Sequence, residues 1–141
     1  MAMLWPMQVL LSSALHAQLL AHAAAAYPEE CCGLLFGLGD TIDRIEPAAN
    51  VADDPEHAFE IDPAVLISAE RAMRQGGASI IGHYHSHPNG RADPSPRDAA
   101  AAACDGRLWL VIAGKQITAW RAVSRGALLG AFDPVPLQLI G

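Results

Sequence analysis

The sequence predicts an α/β fold, a mixed β-sheet with helices on its faces, and three observations predict it. Short apolar runs of strand length, at residues 31–36, 78–85 and 108–112, are bounded by glycine and turn-forming residues. Between them, apolar residues return at helical spacing, with Leu11, Leu15 and Leu19 in one stretch and Leu66, Ala69 and Met73 in another. A hydrophobic fraction of 52% over 141 residues supplies enough apolar surface for a single domain, residues 1–141, with its own core.

Taken in order, residues 9–26 read as one amphipathic helix, with Leu10, Ala14 and Ala17 widening the leucine stripe and Tyr27-Pro28 ending it. Its Leu and Ala content invites a signal-peptide reading. No Lys or Arg precedes it, however, and Gln8, Ser12, Ser13, His16, Gln18 and His22 break it too often for an apolar leader or a membrane span of about 20 residues. The strand at 31–36 turns at Gly39-Asp40 into a second strand at 41–46, where Ile42 and Ile45 are interleaved with charged residues. Residues 47–56, with Asn50, Asp53, Asp54, Pro55 and Glu56, are polar loop, and residues 59–61 suit one more short strand. Asp62 and Pro63 supply the cap and first turn of the Leu66 helix, which Gly76-Gly77 stops. The strand at 78–85 then leads to a bend at Pro88-Asn89-Gly90 and to a helix at 95–104, closed by Asp105-Gly106. Residues 108–112 and 117–123 form a hairpin about Gly114-Lys115, and a last strand and tail follow Gly126.

A net charge of -6, with nine Lys and Arg of which the first is Arg44, leaves no basic patch for phosphates, so nucleic acid is excluded as a partner. Cys31, Cys32 and Cys104 are odd in number and include an adjacent pair, which makes no disulfide framework. Free thiols and the absence of a membrane span give a cytoplasmic location as the expectation. Nothing in the pattern fixes an oligomeric state.

Chemistry concentrates between Gly82 and Asp98. His85 and His87, one residue apart in an extended segment, leave the same side of the backbone while Ser86 points away. Ser95, followed by Pro96 and three residues on by Asp98, reads as a capped helix start that holds Asp98 in the first turn. A bend at Pro88-Asn89-Gly90 that folds this helix start over the histidines makes an N, N, O ligand set with a fourth position for water, the catalytic form of a zinc site. His83 lies on the same strand face and could pair with His85 instead. At about 3.3 Å per residue, His83 and His87 stand roughly 13 Å apart, too far to share one ion.

His85-Ser86-His87, seven residues, Ser95, two residues and Asp98 reproduce the His-x-His-x7-Ser-x2-Asp pattern, and Glu30-Cys31-Cys32-Gly33 resembles the upstream glutamate segment that accompanies it. On these residues the chain resembles the JAMM, or MPN-plus, metalloproteases, in a short prokaryotic form, from about Leu10 to Val123. The resemblance implies a curved mixed sheet flanked by helices and Zn2+ held by His85, His87 and Asp98. It implies Glu30 as the group that takes a proton from water and returns it to the leaving amine, and Ser95 as the hydroxyl that steadies the tetrahedral intermediate. It also implies the substrate class: a ubiquitin-like or sulfur-carrier protein cut after its C-terminal Gly-Gly, beside a groove bordered by the 47–56 loop.

Each residue has a plainer reading. Histidines can be hydrogen-bonding loop residues, Asp98 a capping-box acid, Ser95 a helix cap, and Glu30 a solvated charge beside Glu29. Cys31 or Cys32 with a histidine would be a thiol protease, but cysteines at a strand start are more often small buried hydrophobes, and Cys104 reads the same way. Trp109 and Trp120 read as core. Two rival functions stand beside the isopeptidase: a non-catalytic scaffold of the same fold, and a zinc peptidase of small or cell-wall peptides.

Overall fold

The apolar run that begins at Cys31 becomes the strand beside which the rest assembles. The protein is seen in a computed structural model that describes residues 8–141. Its elements are β1 (Val9–Ser12), α1 (Ser13–Ala26), β2 (Cys32–Leu38), β3 (Thr41–Ala48), α2 (Pro63–Arg74), β4 (Ile80–Ser86), α3 (Pro96–Ala101), β5 (Leu108–Ala113), β6 (Gln116–Gly126), β7 (Gly130–Val135) and β8 (Leu137–Ile140). The strands form one mixed sheet in the order β7-β6-β5-β4-β2-β3-β1-β8. β2 pairs antiparallel with both β3 and β4, while β4–β5, β1–β3 and β1–β8 are parallel. β7 and β8 lie at opposite ends of that order, yet only Pro136 separates them in sequence, so the sheet curls until its ends meet; the Val9 N–H donates to the Pro136 carbonyl at 2.8 Å.

One face of the curl packs under α1. Val9, Leu11, Leu35, Tyr84, Leu110 and Ile112 are fully buried there with Leu19 of the helix. α2 covers Leu34, Phe36 and Ile80 on the other face through Val65, Leu66, Ala69 and Met73. On that face too, Ala99 of the short helix α3 and Ala102 just past its end pack on Trp109, Val111, Trp120 and Phe132, so Trp109 and Trp120 are core. Between Leu35/Gly82 and Phe36/Ile80 the β2–β4 ladder carries one extra residue, Ile81. That bulge lets Ile80 face α2 while Ile81 faces α1, and it puts His83 and His85 on the face of Leu34.

Several expected elements change. Residues 9–26 are not one helix: Val9–Ser12 is a strand, because its buried Val9 and Leu11 pair with β3 and β8, and Ser12 caps α1 by accepting the Leu15 N–H at 3.1 Å. The buried stripe of α1 accordingly runs through Leu15, Leu19, Ala23 and Ala26, with Ala14 and Ala17 exposed. Residues 59–61 form only an isolated bridge, Asn50 to Ile61. The expected 95–104 helix stops at Ala101, since the backbone of Ala102 turns extended and Cys104 has a φ of 50°. Cys104 is therefore exposed, unlike the buried Cys31 and Cys32. Pro47 lies inside β3 rather than in the loop, and two strands, not one, follow Gly126.

Candidate metal centre

β4 delivers the histidines. His85 pairs with Cys32 of β2 and Val111 of β5 and is completely buried, while His87, just past the strand, is held by its N–H to the Ile112 carbonyl at 2.8 Å. Ser86 points to the opposite side, where its hydroxyl accepts the Cys31 N–H at 2.8 Å and its own N–H donates to the Cys31 carbonyl at 3.1 Å. This two-way tie fixes the neighbour of Glu30 against the strand that carries the histidines. Gly33 is required beside it: a Cβ there would lie 2.5 Å from the ring of Tyr84. The Glu30 backbone is clamped from the 49–62 loop, with its N–H on the Pro55 carbonyl at 2.7 Å and its carbonyl accepting from Asn50 Nδ2 at 3.0 Å.

The turn after His87 brings α3 back. Ser95 Oγ accepts the Asp98 N–H at 3.0 Å and the Ser95 N–H donates to Asp98 Oδ2 at 2.9 Å, a full capping box. The plain capping reading of Ser95 and Asp98 is thus correct, and it is also what aims the carboxylate. Asp98 Oδ2 lies 3.1 Å from His85 Nε2 and 3.1 Å from His87 Nε2, which are 3.0 Å from each other. His85, His87 and Glu30 also offer ligand atoms within 4.8 Å of one another. His85, His87, Asp98, Ser95 and Glu30, named from spacing and resemblance, are therefore brought to one place.

Whether this donor set fits a metal is decided by its protons. The Arg91 carbonyl, 2.8 Å from His87 Nδ1, accepts that nitrogen's proton, so neutral His87 presents a bare lone pair at Nε2. Two imidazole nitrogens and a carboxylate oxygen then face one another with at most one proton, on His85, to share among three contacts. A cation at the middle satisfies all of them. Donors at bonds of about 2.0–2.1 Å on a tetrahedral ion stand roughly 3.3 Å apart, close to the edges of this triangle. The charges agree. Burial opposes charge on His87, but its hydrogen bonds to Asp98 and Arg91 outweigh burial and hold its pKa above the ordinary value. Burial likewise opposes charge on Asp98, and the two imidazoles outweigh it, pulling its pKa well below the carboxylate range. Burial leads for His85, whose pKa is lowered. The ionised Asp98 is the negative charge that a cation there would meet.

Glu30 differs from Asp98. It is 6% exposed, its Oε1 has no hydrogen-bond partner, and burial, chiefly, raises its pKa to about 7. It lines a cleft of about 690 Å³ with His87, Ser95, His57, Arg91, Tyr27 and Leu129. Ser95 Oγ accepts the capping bond, leaving its own O–H proton for the cleft. His83 stays off the centre: it packs on Trp109 with ring centroids 4.3 Å apart and has a buried, unpartnered Nδ1. Burial first, and His85 second, depress its pKa to about 3. The thiol alternative fails, because burial raises the pKa of Cys31 and carries Cys32 up to about 12, so neither is a thiolate near neutrality.

Sequence reasoning missed two residues of the centre. Phe59, taken for a strand residue, stacks on His85 with centroids 4.2 Å apart and planes inclined by 18°. Asn50, taken for loop polarity, donates to the carbonyls of Glu30 and Ala58 and accepts the N–H groups of Ala52 and Glu60, so it shapes the loop that holds Glu30. An asparagine in a polar loop is a fair signal for such an Asx turn; no spacing announces Phe59.

Residues 12–125 match the family described as prokaryotic homologs of the JAB domain. The desampylase of Haloferax volcanii is 37% identical over 91 residues, covering 63% of this chain and 66% of its own length. A probable TtuB-protein conjugate cleaving protease of Thermus thermophilus is 40% identical over 82 residues, 58% of this chain and 55% of that protein. The chain thus spans less than two thirds of either relative. The solution structure of a Desulfitobacterium hafniense protein superposes with a TM-score of 0.77 at 30% identity, covering 94% of this chain and 93% of that one.

Proposed function

Because the chain belongs to the family of prokaryotic JAB-domain homologues, we propose that it is a zinc-dependent isopeptidase, acting in the cytoplasm as one domain, residues 1–141. The observation that carries this reading is the convergence of His85 Nε2, His87 Nε2 and Asp98 Oδ2 at 3.0–3.1 Å beside an unpartnered carboxylate oxygen of Glu30. His85, His87 and Asp98 would hold the ion. Zinc bound there supplies a Lewis acid with an open position that acidifies water.

The remaining work falls to the chain's own atoms. Glu30, with a pKa near 7, is matched to taking a proton from water at Oε1 and returning it to the leaving amine. Ser95 donates its free O–H to the oxygen on which charge develops. His87 Nδ1, anchored on the Arg91 carbonyl, keeps Nε2 directed at the ion. Phe59 and the loop around it cover His85 and limit water on that side.

The substrate follows from the resemblance and is supported by a relative whose name states that it cleaves TtuB-protein conjugates. It is a ubiquitin-like or sulfur-carrier protein, presented by a Gly-Gly tail in the cleft lined by Tyr27, Glu30, His87 and Leu129. Glycine suits the cleft because a residue without Cβ lets the backbone come close to the buried ligands. The test compares initial rates on carrier fusions ending Gly-Gly-X and Ala-Ala-X at matched zinc, with short cell-wall peptides as a third substrate. Selective cleavage after Gly-Gly is expected. Equal rates on Ala-Ala, or cleavage of the peptides alone, would replace the isopeptidase with a general zinc peptidase, and no cleavage of any of them by the zinc-loaded protein would leave a binding scaffold.

A further inference from the structure

The path from His87 to Asp98 passes through residues 88–94, which are neither strand nor helix, so something must fix that path before the third ligand meets the first two. Within the loop, Gly90 N–H donates to the His87 carbonyl at 3.0 Å and Arg91 N–H to Asn89 Oδ1 at 2.9 Å. These bonds, with the one from His87 Nδ1 to the Arg91 carbonyl, shape the turn but tie it only to the histidine at its start. Among the described residues, one hydrogen bond joins the loop to a strand: Thr118 Oγ1 of β6 donates to the Ala92 carbonyl at 2.7 Å.

Thr118 is well placed for this. His85 pairs with Val111 and Val111 with Thr118, so the threonine stands in the same transverse row as the metal-centre histidine, on the same face and two strands away, roughly 10 Å. In the neighbouring row His83, Trp109 and Trp120 follow one another. Trp120 Nε1 donates to Thr118 Oγ1 at 2.9 Å. An indole N–H can only donate, so it occupies a lone pair of the hydroxyl and leaves the hydroxyl proton for Ala92. The direction of the relay, Trp120 to Thr118 to Ala92, is thereby settled. Ala92 is the residue after Arg91, whose carbonyl orients His87, and it lies three residues before Ser95, whose capping box aims Asp98.

We propose that Thr118, aimed by Trp120, is a positioning residue for the metal centre: it pins the ligand loop at Ala92 and so sets the distance between His87 and Asp98. This rests on the zinc reading above and not on the substrate. Removing the hydroxyl while keeping the shape of the side chain should loosen the donor triangle without emptying the core.

The experiment measures zinc affinity of the metal-depleted full chain by competition with a chromophoric chelator, together with the thermal midpoint of the same metal-free protein. T118V is expected to weaken zinc binding about tenfold, the low end of what outer partners of metal ligands contribute, and T118S to stay within about twofold of the starting chain. W120F, which keeps the hydroxyl but removes the donor that aims it, is expected to lose about threefold. With cobalt(II) as probe, the visible bands of T118V should shift and those of T118S should not. T118V binding zinc like the unaltered chain overturns the inference, as does an equal loss in T118V and T118S, or a drop in the metal-free midpoint with affinity unchanged. An unaltered chain that takes up no zinc overturns the zinc reading itself, a result distinct from all of these.

Discussion

The two faces of β4 obey different rules. Toward α1, Tyr84 is completely buried, its ring fills the space left by Gly33, and its hydroxyl meets His22 Nδ1 at 2.8 Å. Toward α3, the same strand presents His83 and His85, and there the polar accounting does not close. Of the four buried side-chain atoms without a partner among the described residues, Glu30 Oε1, His83 Nδ1 and His85 Nδ1 are gathered around this face. Native interiors satisfy their polar groups, and leaving one unmet costs about 1–3 kcal/mol. One face of the strand thus holds the fold together, while the other carries buried polar atoms at a cost in stability.

The largest effects should separate the faces outright. His87→Ala is expected to abolish zinc uptake and reduce hydrolysis to background while leaving the metal-free chain folded, as atomic absorption and thermal melting would register. Tyr84→Ala should do the reverse, lowering stability by about 3–5 kcal/mol as a large buried side chain is lost. If His87→Ala unfolds the chain, or Tyr84→Ala leaves stability intact, the division is wrong.

Glu30→Gln sharpens the chemical side. It should keep zinc and lower turnover by about 10²–10⁴, the range of a general acid–base group, since the amide accepts no proton.

The same residue gives a stability test. Glu30 has its pKa raised from 4.5 to about 7 by burial, so between those values the folded chain keeps a proton that the unfolded chain releases. The contribution of Glu30 to the stability of the metal-free protein should therefore be full below about pH 4.5 and fall as pH rises to about 7, by about 3 kcal/mol at 1.36 kcal/mol per pKa unit. Denaturant titrations across that range should show Glu30→Gln lacking this component. A parallel pH dependence in both chains would mean that the carboxyl is not the group held back from ionising.

Smallest are the single hydrogen bonds. Ser95→Ala should cost about 1 kcal/mol as a lost cap and also slow turnover, whereas Tyr84→Phe should cost about 1 kcal/mol and leave turnover alone. Equal turnover in the two variants would take the hydroxyl of Ser95 out of the reaction.

Much of the centre was legible because its parts are local. His85 and His87 share a face through strand periodicity, and the capping box binds Ser95 to Asp98 within one helical turn, so spacing alone carries their geometry. The joining of Glu30 to that group depends on the β2–β4 register and on Asn50, which are long-range facts that only the family resemblance reached. The fold shows the same contrast. Hairpins β2–β3 and β5–β6 were readable from their turns. At the beginning, Leu11 fitted a helical stripe with Leu15 and Leu19, but partners at the other end of the chain, Leu137 to Ile140, draw residues 9–12 into a strand instead. The helix at 95–104 was overextended because an alanine run has high helix propensity, which the extended turn at Ala102 overrides.

The junction at Pro136 bears on how the centre comes into being. β1 cannot gain its second neighbour until residues 137–140 are present, although α1, which follows β1 directly, braces Tyr84 from behind. Val9 and Leu137 are paired across nearly the whole chain, and contacts of such high sequence separation form slowly, since loop entropy is lost before the contact rewards it. The local parts, the β5–β6 hairpin and the capped turn of α3, can assemble as the chain emerges. Closure of the curl waits for its last strand, so residues far from His85, His87 and Asp98 complete the sheet that carries them.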